Sequence, residues 1–374
     1  MKPSMWLTIV LGLFSVLWVA AVSFPSIASA QGPHQHHGSP SISTVISVQE
    51  LAVGMAHGAT LGAVVFLVGL VAFVVLVWLP ANQVEDADQG EAVSLLCRWM
   101  WVLVSLLIVA GLVELPLYAV RASGEVLSLG LLEEALFDTR VGQLWILRLA
   151  LGILTATAAT YAAQQSRRLV YWWGAAVVVS ALLLMTITQQ SHAAAEGGFL
   201  PFAADWLHLI AASLWMGGLL GFPILLLGPL RTIPLEPRLK LLSRIVPRFS
   251  KVATMAVMSL ILTGLVSILL HIPNLWSLID TPYGRALSIK LGLLIFLLAL
   301  GAQNLRLRGR GPFSRLVSTE LLLAIGIFVA TGFLTSLPPA DADQPTIENI
   351  PNPAEDIRQP PMPGVPSATA QPQE

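Results

Sequence analysis

Seven histidines, nine methionines and a single cysteine bound the metal chemistry open to this chain. Imidazole is the commonest metal ligand among side chains, and thioether sulfur adds a preference for soft Cu(I). Cys97 stands alone, which excludes an internal disulfide and any multi-cysteine cage. A metal would therefore be held by His, Met or carboxylate. The histidines are His34, His36, His37, His57, His192, His208 and His271. Met55 precedes His57 by two residues, a helical spacing that turns the two side chains apart. Met185 precedes His192 by two helical turns, on nearly the same face. Asp205 and His208 stand at i and i+3, where a carboxylate can orient an imidazole from behind. Met216 lies eight residues beyond His208, about 12 Å along a helix. It reads as a second soft-ion station or as plain core.

The elements that position these residues are membrane helices. Of the 374 residues, 55% are hydrophobic and only 11% are charged, whereas a soluble globular chain carries roughly a quarter charged. Lipid-facing surface removes the need for solvating charge. A spanning helix needs roughly twenty apolar residues. About eight stretches qualify: 48–79, 93–120, 141–163, 169–189, 203–227, 249–271, 285–305 and 316–337. The fold class is all-α, a polytopic bundle, because the backbone finds no water in lipid and must satisfy itself. Residues 1–30 read as a signal peptide: Lys2, an apolar run from Met5 to Val22, and the small-residue site Ala28-Ser29-Ala30. The alternative is an uncleaved first helix, and both place Gln31 on the exported side. Residues 31–46 form a flexible histidine-containing segment, 47–338 the membrane domain, and 339–374 a Pro-rich acidic tail of disordered composition.

Lys and Arg set the orientation. With the start of the first span outside, the inner connections hold Arg167, Arg168, Arg231, Arg238, Lys240, Arg244, Arg248, Lys251, Arg306, Arg308, Arg310 and Arg315. The outer side holds only Arg121, Arg140, Arg285 and Arg358. Both mature termini then lie outside, and every histidine lies outside or in the outer part of a span. His57 and His208 fall within spans, where ionisable residues are rare and face the bundle interior. Each reads as a ligand or as a hydrogen-bonded core histidine. Arg148, two turns into the third span, needs a carboxylate or carbonyl partner, and Glu114 in the second span is one candidate. Gly54, Gly58 and Gly62 in the first span, and Gly217 and Gly221 in the fifth, are small-residue ridges that let helices approach closely. They suggest that these two spans pack together. The tract Gln31-Gly32-Pro33-His34-Gln35-His36-His37 reads as a loose metal collector or a solvated tail. It is no amino-terminal Cu(II) chelate, since Pro33 lacks the amide N–H that would ionise.

Four segments carry a family resemblance. Ser191-His192 with the run Asp205-Trp206-Leu207-His208 through Trp215-Met216-Gly217-Gly218 resembles the copper resistance protein D (CopD) family. Thr139-Arg140-Val141-Gly142-Gln143-Leu144-Trp145 through Arg148 is similar to the entry of that family's third helix, with Val141 where an aromatic is expected. Thr281-Pro282-Tyr283-Gly284-Arg285 with Lys290, and Glu320 through Pro339, are similar to its last two helices. The resemblance covers roughly residues 45–340. It implies a bacterial inner-membrane protein that moves or handles copper, from periplasm to cytoplasm in the usual proposal, beside a separate periplasmic CopC-like carrier. His57, His192 and His208 would then bind the ion, with Met55, Met185 and Met216 as softer ligands and His34, His36 and His37 collecting it. Asp205, Trp215, Arg148 and Glu114 would support that site. Two other functions fit the same histidines: a haem b redox protein ligated by His57 and His208, and an assembly scaffold for copper enzymes. No phosphate-binding loop, hydrolase triad or basic patch for nucleic acid is visible, so an ATP-driven pump, an enzyme and a nucleic-acid partner are not expected.

Overall fold

The computed structural model describes residues 48–81, 89–165, 169–191, 199–271, 282–307 and 313–336. The expected signal peptide, the histidine tract with His34, His36 and His37, His192 and the acidic tail lie outside the described residues. All described secondary structure is helical, as expected for a multi-pass membrane protein. Helix α1 runs from Val48 to Phe73 and continues through a π-helical turn, Val74–Trp78, to Ala81. The π turn closes with the Leu79 N–H on the Val74 carbonyl. It ends two residues before Pro80, which has no N–H to carry an α-helical ladder onward. The remaining helices are α2 (Gln89–Ser123), α3 (Leu129–Phe137), α4 (Arg140–Gln164), α5 (Leu169–Thr188), α6 (Phe199–Leu227), α7 (Leu235–His271), α8 (Pro282–Leu307) and α9 (Phe313–Ser336).

Six of these helices are long and apolar enough to cross a membrane: α1, α2, α4, α5, α6 and α7. Helices α8 and α9 carry the shorter apolar stretches Leu287–Gly301 and Thr319–Gly332. Two elements differ from expectation. The short helix α3 was not foreseen; Ser128 caps it by accepting from Leu131 N at 3.2 Å, and Ala135 packs on Leu115 and Ala119 of α2. Helix α7 begins at Leu235 instead of 249. Its early turns repeat apolar residues at helical period: Leu241, Leu242, Ile245 and Val246 pack on the core while Lys240 and Arg248 stay exposed. The basic run expected in a connection is thus largely the polar face of a helix.

Helix α1 is the axis of the bundle. It is buried along most of its length, and α2, α4, α5, α6 and α9 all pack on it. Helix α7 turns most of its span outward, with Met255, Met258, Leu262 and Leu269 exposed where lipid would lie. The expected pairing of the first and fifth spans is present, through a different glycine. Gly69 of α1 meets Gly217 of α6 backbone to backbone, so that a methyl on either would strike the other chain. The ridge of Gly54 and Gly58 faces α9 instead, where a methyl on Gly58 would lie 2.7 Å from the Phe328 carbonyl oxygen. Below the Gly69–Gly217 crossing, Phe73, Phe222 and Phe249 meet edge to face with ring centres 5.3–6.5 Å apart and join α1, α6 and α7.

Candidate functional site

The start of α1, the end of α2, the start of α4 and the end of α5 come together at one end of the bundle. Thr139 fixes the start of α4: its hydroxyl accepts from Gly142 N at 3.0 Å and donates to Ala135 O at 2.6 Å, tying α4 to α3. Between these ends lies a cavity of about 540 Å³, lined by His57, Glu114, Tyr118, Arg121, Arg140, Arg148, Gln189 and Gln190 among others.

Glu114 organises its floor. His57 Nδ1 lies 2.6 Å from Glu114 Oε1, and Thr60 Oγ1 donates to Glu114 Oε2 at 2.6 Å. His57 and Thr60 stand one helical turn apart on α1, so a single carboxylate from α2 reaches both. A carboxylate only accepts, so the His57 ring carries a proton on Nδ1; in the neutral ring the lone pair is then on Nε2. A carboxylate behind an imidazole is the arrangement that orients a metal-ligating histidine and raises its basicity.

Arg148 stands about 12 Å into α4 and is 1% exposed. Of the two kinds of partner the sequence allowed, the hydrogen bonds use a carbonyl rather than the Glu114 carboxylate. Nε donates to Thr186 Oγ1 at 3.2 Å, and Nη2 donates to Thr186 O at 3.0 Å and to Gln190 Oε1. Thr186 O belongs to the last turn of α5, whose carbonyls have no partner within the helix. Arg148 therefore caps α5, with Glu114 close enough to feel its charge. Arg140 adds a second tie to the same helix end, donating from Nη2 to Gln189 Oε1 at 2.7 Å.

The second intramembrane histidine sits apart. His208 Nδ1 is 2.9 Å from Thr263 Oγ1 on α7. The Thr263 hydroxyl donates to Ser259 O at 2.7 Å, so toward His208 it accepts, and Nε2 is again the unprotonated nitrogen. The residue on Nδ1 is thus Thr263. Asp205 and His208 both lie within electrostatic reach of Lys290 on α8. Trp215 and Met216 are core residues of α6, 6% and 4% exposed. Met55 and Met185 are half-buried and do not line the cavity. Among the described residues, no three His, Cys, Asp or Glu side chains converge as a closed metal site. The two intramembrane imidazoles have separate partners, His57 between α1 and α2 and His208 between α6 and α7. Thr60, Thr186, Gln190 and Thr263 were missed from the sequence. Only Thr60, one turn from His57, left a readable signal there.

Residues 48–202 match the family model described as "Copper resistance protein D-like, N-terminal domain", and residues 243–334 match "Copper resistance protein D". The chain belongs to the copper resistance protein D family. The cavity lies wholly within the first matched segment; His208 falls between the two, and Thr263 and Lys290 lie within the second. The copper transport protein CutJ of Bacillus subtilis (strain 168) is 31% identical over 223 residues, 58% of this chain and 40% of that protein. The chain thus spans less than half the length of that relative. No solved structure matches the chain significantly.

Proposed function

We propose that this protein carries copper across the bacterial inner membrane, from periplasm to cytoplasm. The observation that carries the reading is His57: an imidazole in a spanning helix, held at Nδ1 by Glu114, on the wall of a cavity at one end of the bundle. The family membership and the copper transport relative support copper as the ion. The bias of Lys and Arg toward the opposite end supports placing this cavity on the periplasmic side, with both termini there. Copper then enters at His57, a lone imidazole that binds weakly enough to release. His208 is a later station, with Met185 and Met216 as softer contacts along the way. His34, His36, His37 and His192 collect the ion ahead of the cavity, and a separate copper-carrying periplasmic protein of the CopC kind delivers it. The two imidazoles are committed to different helix pairs, α1–α2 and α6–α7, which favours two ion stations over a shared haem.

The test is copper accumulation, read by elemental mass spectrometry, in cells expressing the wild type, His57→Ala or His208→Ala at matched membrane levels. Wild type raises cell copper above the empty-vector control, and each variant returns it to that baseline. Accumulation that survives both substitutions would end the transport reading of these residues. A Soret band in the purified protein would instead favour the haem b alternative.

A further inference from the structure

The cavity's charge does not suit a bare cation. Its lining holds Arg121, Arg140 and Arg148 against one carboxylate, Glu114. That carboxylate is already engaged by His57 and Thr60. Arg148 is fully buried, and its hydrogen bonds to Thr186 and Gln190 use Nε and Nη2. Arg148 also forms part of the cavity wall. Arg121 and Arg140 gather at the end of the bundle where basic residues are scarce: only four lie there on the orientation above, and two of them converge on this cavity. Tyr118, Gln189 and Gln190 add neutral hydrogen-bonding groups to the same wall. Guanidinium groups match the planar, multidentate geometry of carboxylate and phosphate oxygens. The volume of about 540 Å³ is that of a small-molecule pocket and far exceeds the needs of one ion.

We infer that this cavity is an oxyanion site, taking a small anion of carboxylate or phosphate chemistry against Arg121, Arg140 and Arg148. The anion offsets the surplus positive charge, so that copper reaches His57 beside an anionic ligand rather than alone. The site itself does not depend on the copper reading, because the arginines would hold the anion with no metal present. Two sources share this chemistry: a soluble anion, and the headgroup of an anionic lipid at the cavity mouth.

The experiment uses the full chain, purified free of copper, in nanodiscs of phosphatidylcholine alone, titrated calorimetrically with citrate and with inorganic phosphate. A second set of nanodiscs contains phosphatidylglycerol, and native mass spectrometry counts the retained anionic lipid. Wild type binds a soluble anion in the first set, and the surface variants Arg121→Gln and Arg140→Gln each weaken it about tenfold. Absence of soluble-anion binding together with arginine-dependent retention of phosphatidylglycerol also upholds the site and assigns it to lipid. Failure to bind either source, or binding that both arginine variants leave intact, overturns the proposal. Failure of the copper reading alone appears differently: anion binding persists while copper accumulation is flat.

Discussion

His57 and His208 are the same side chain in the same kind of place, within a spanning helix with Nδ1 held by a neighbour, yet their surroundings differ in two ways. His57 leans on a carboxylate and lines an open cavity; His208 leans on a hydroxyl between α6 and α7. A hydrogen bond to an ionised acceptor is roughly twice as strong as a neutral one. Glu114 therefore fixes the ring of His57 and enriches its electrons more firmly than Thr263 does for His208. The pair teaches that the partner behind an imidazole and the space before it, rather than the imidazole itself, set its task. On the transport reading proposed above, the first would capture an ion from water and the second would pass it on within the bundle.

The comparison breaks most sharply if the helices that bear the two histidines cannot pack. Helices α1 and α6 cross where Gly69 and Gly217 meet backbone to backbone. Gly217→Val would drive two methyl groups into the α1 main chain, which cannot yield as a side chain can. The expected loss is about 3 kcal/mol, the upper end for overpacking, read as a lower midpoint of detergent-induced unfolding, with copper binding lost at both stations together. A variant as stable as wild type would show that α1 and α6 do not approach at this point. The distance between the two stations would then need redrawing.

A smaller change separates the stations. Glu114→Gln keeps the shape of the side chain and removes the charge behind His57. The expected result is a ten- to hundredfold weaker copper affinity of the purified protein, the usual cost of losing a partner behind a metal-binding histidine. Stability falls by only about 1 kcal/mol, because hydrogen bonds between membrane helices contribute little individually. Equilibrium copper binding against a competing chelator measures the first, and detergent unfolding the second. Affinity unchanged in this variant but lost in His208→Ala would exchange the two roles.

The bundle was legible in the sequence because its cause is local. Twenty apolar residues in a row have few alternatives in lipid, so the long runs in α1, α2 and α6 announced themselves. The basic ridge of α7 was misread as a connection because charge was weighed there and the apolar period beneath it was not. Partners across helices were less legible. His57 and Glu114 are 57 positions apart, and His208 and Thr263 are 55 apart. Which of several polar residues meet depends on how each helix is rotated, and helical period within one segment does not encode that. Glu114 was singled out, but as one candidate partner for Arg148. Gly58 was seen as a packing ridge, yet it serves α9 rather than α6.

The smallest expected effect tests the weaker station directly. Thr263→Val keeps the volume near His208 and removes its Nδ1 acceptor. Without that acceptor, the ring proton divides between the two nitrogens, and Nε2 carries its lone pair only part of the time. The ring stays in place, since the packing of α6 on α7 is unchanged. The rate of copper uptake should fall about threefold, less than for Glu114→Gln, because the lost partner is neutral. Thr263→Ser, which restores the hydroxyl, should recover most of the rate. A loss as deep as that of His57→Ala, rescued by serine, would mean that His208 rather than His57 holds the ion most tightly, and that capture occurs between α6 and α7 instead of in the cavity.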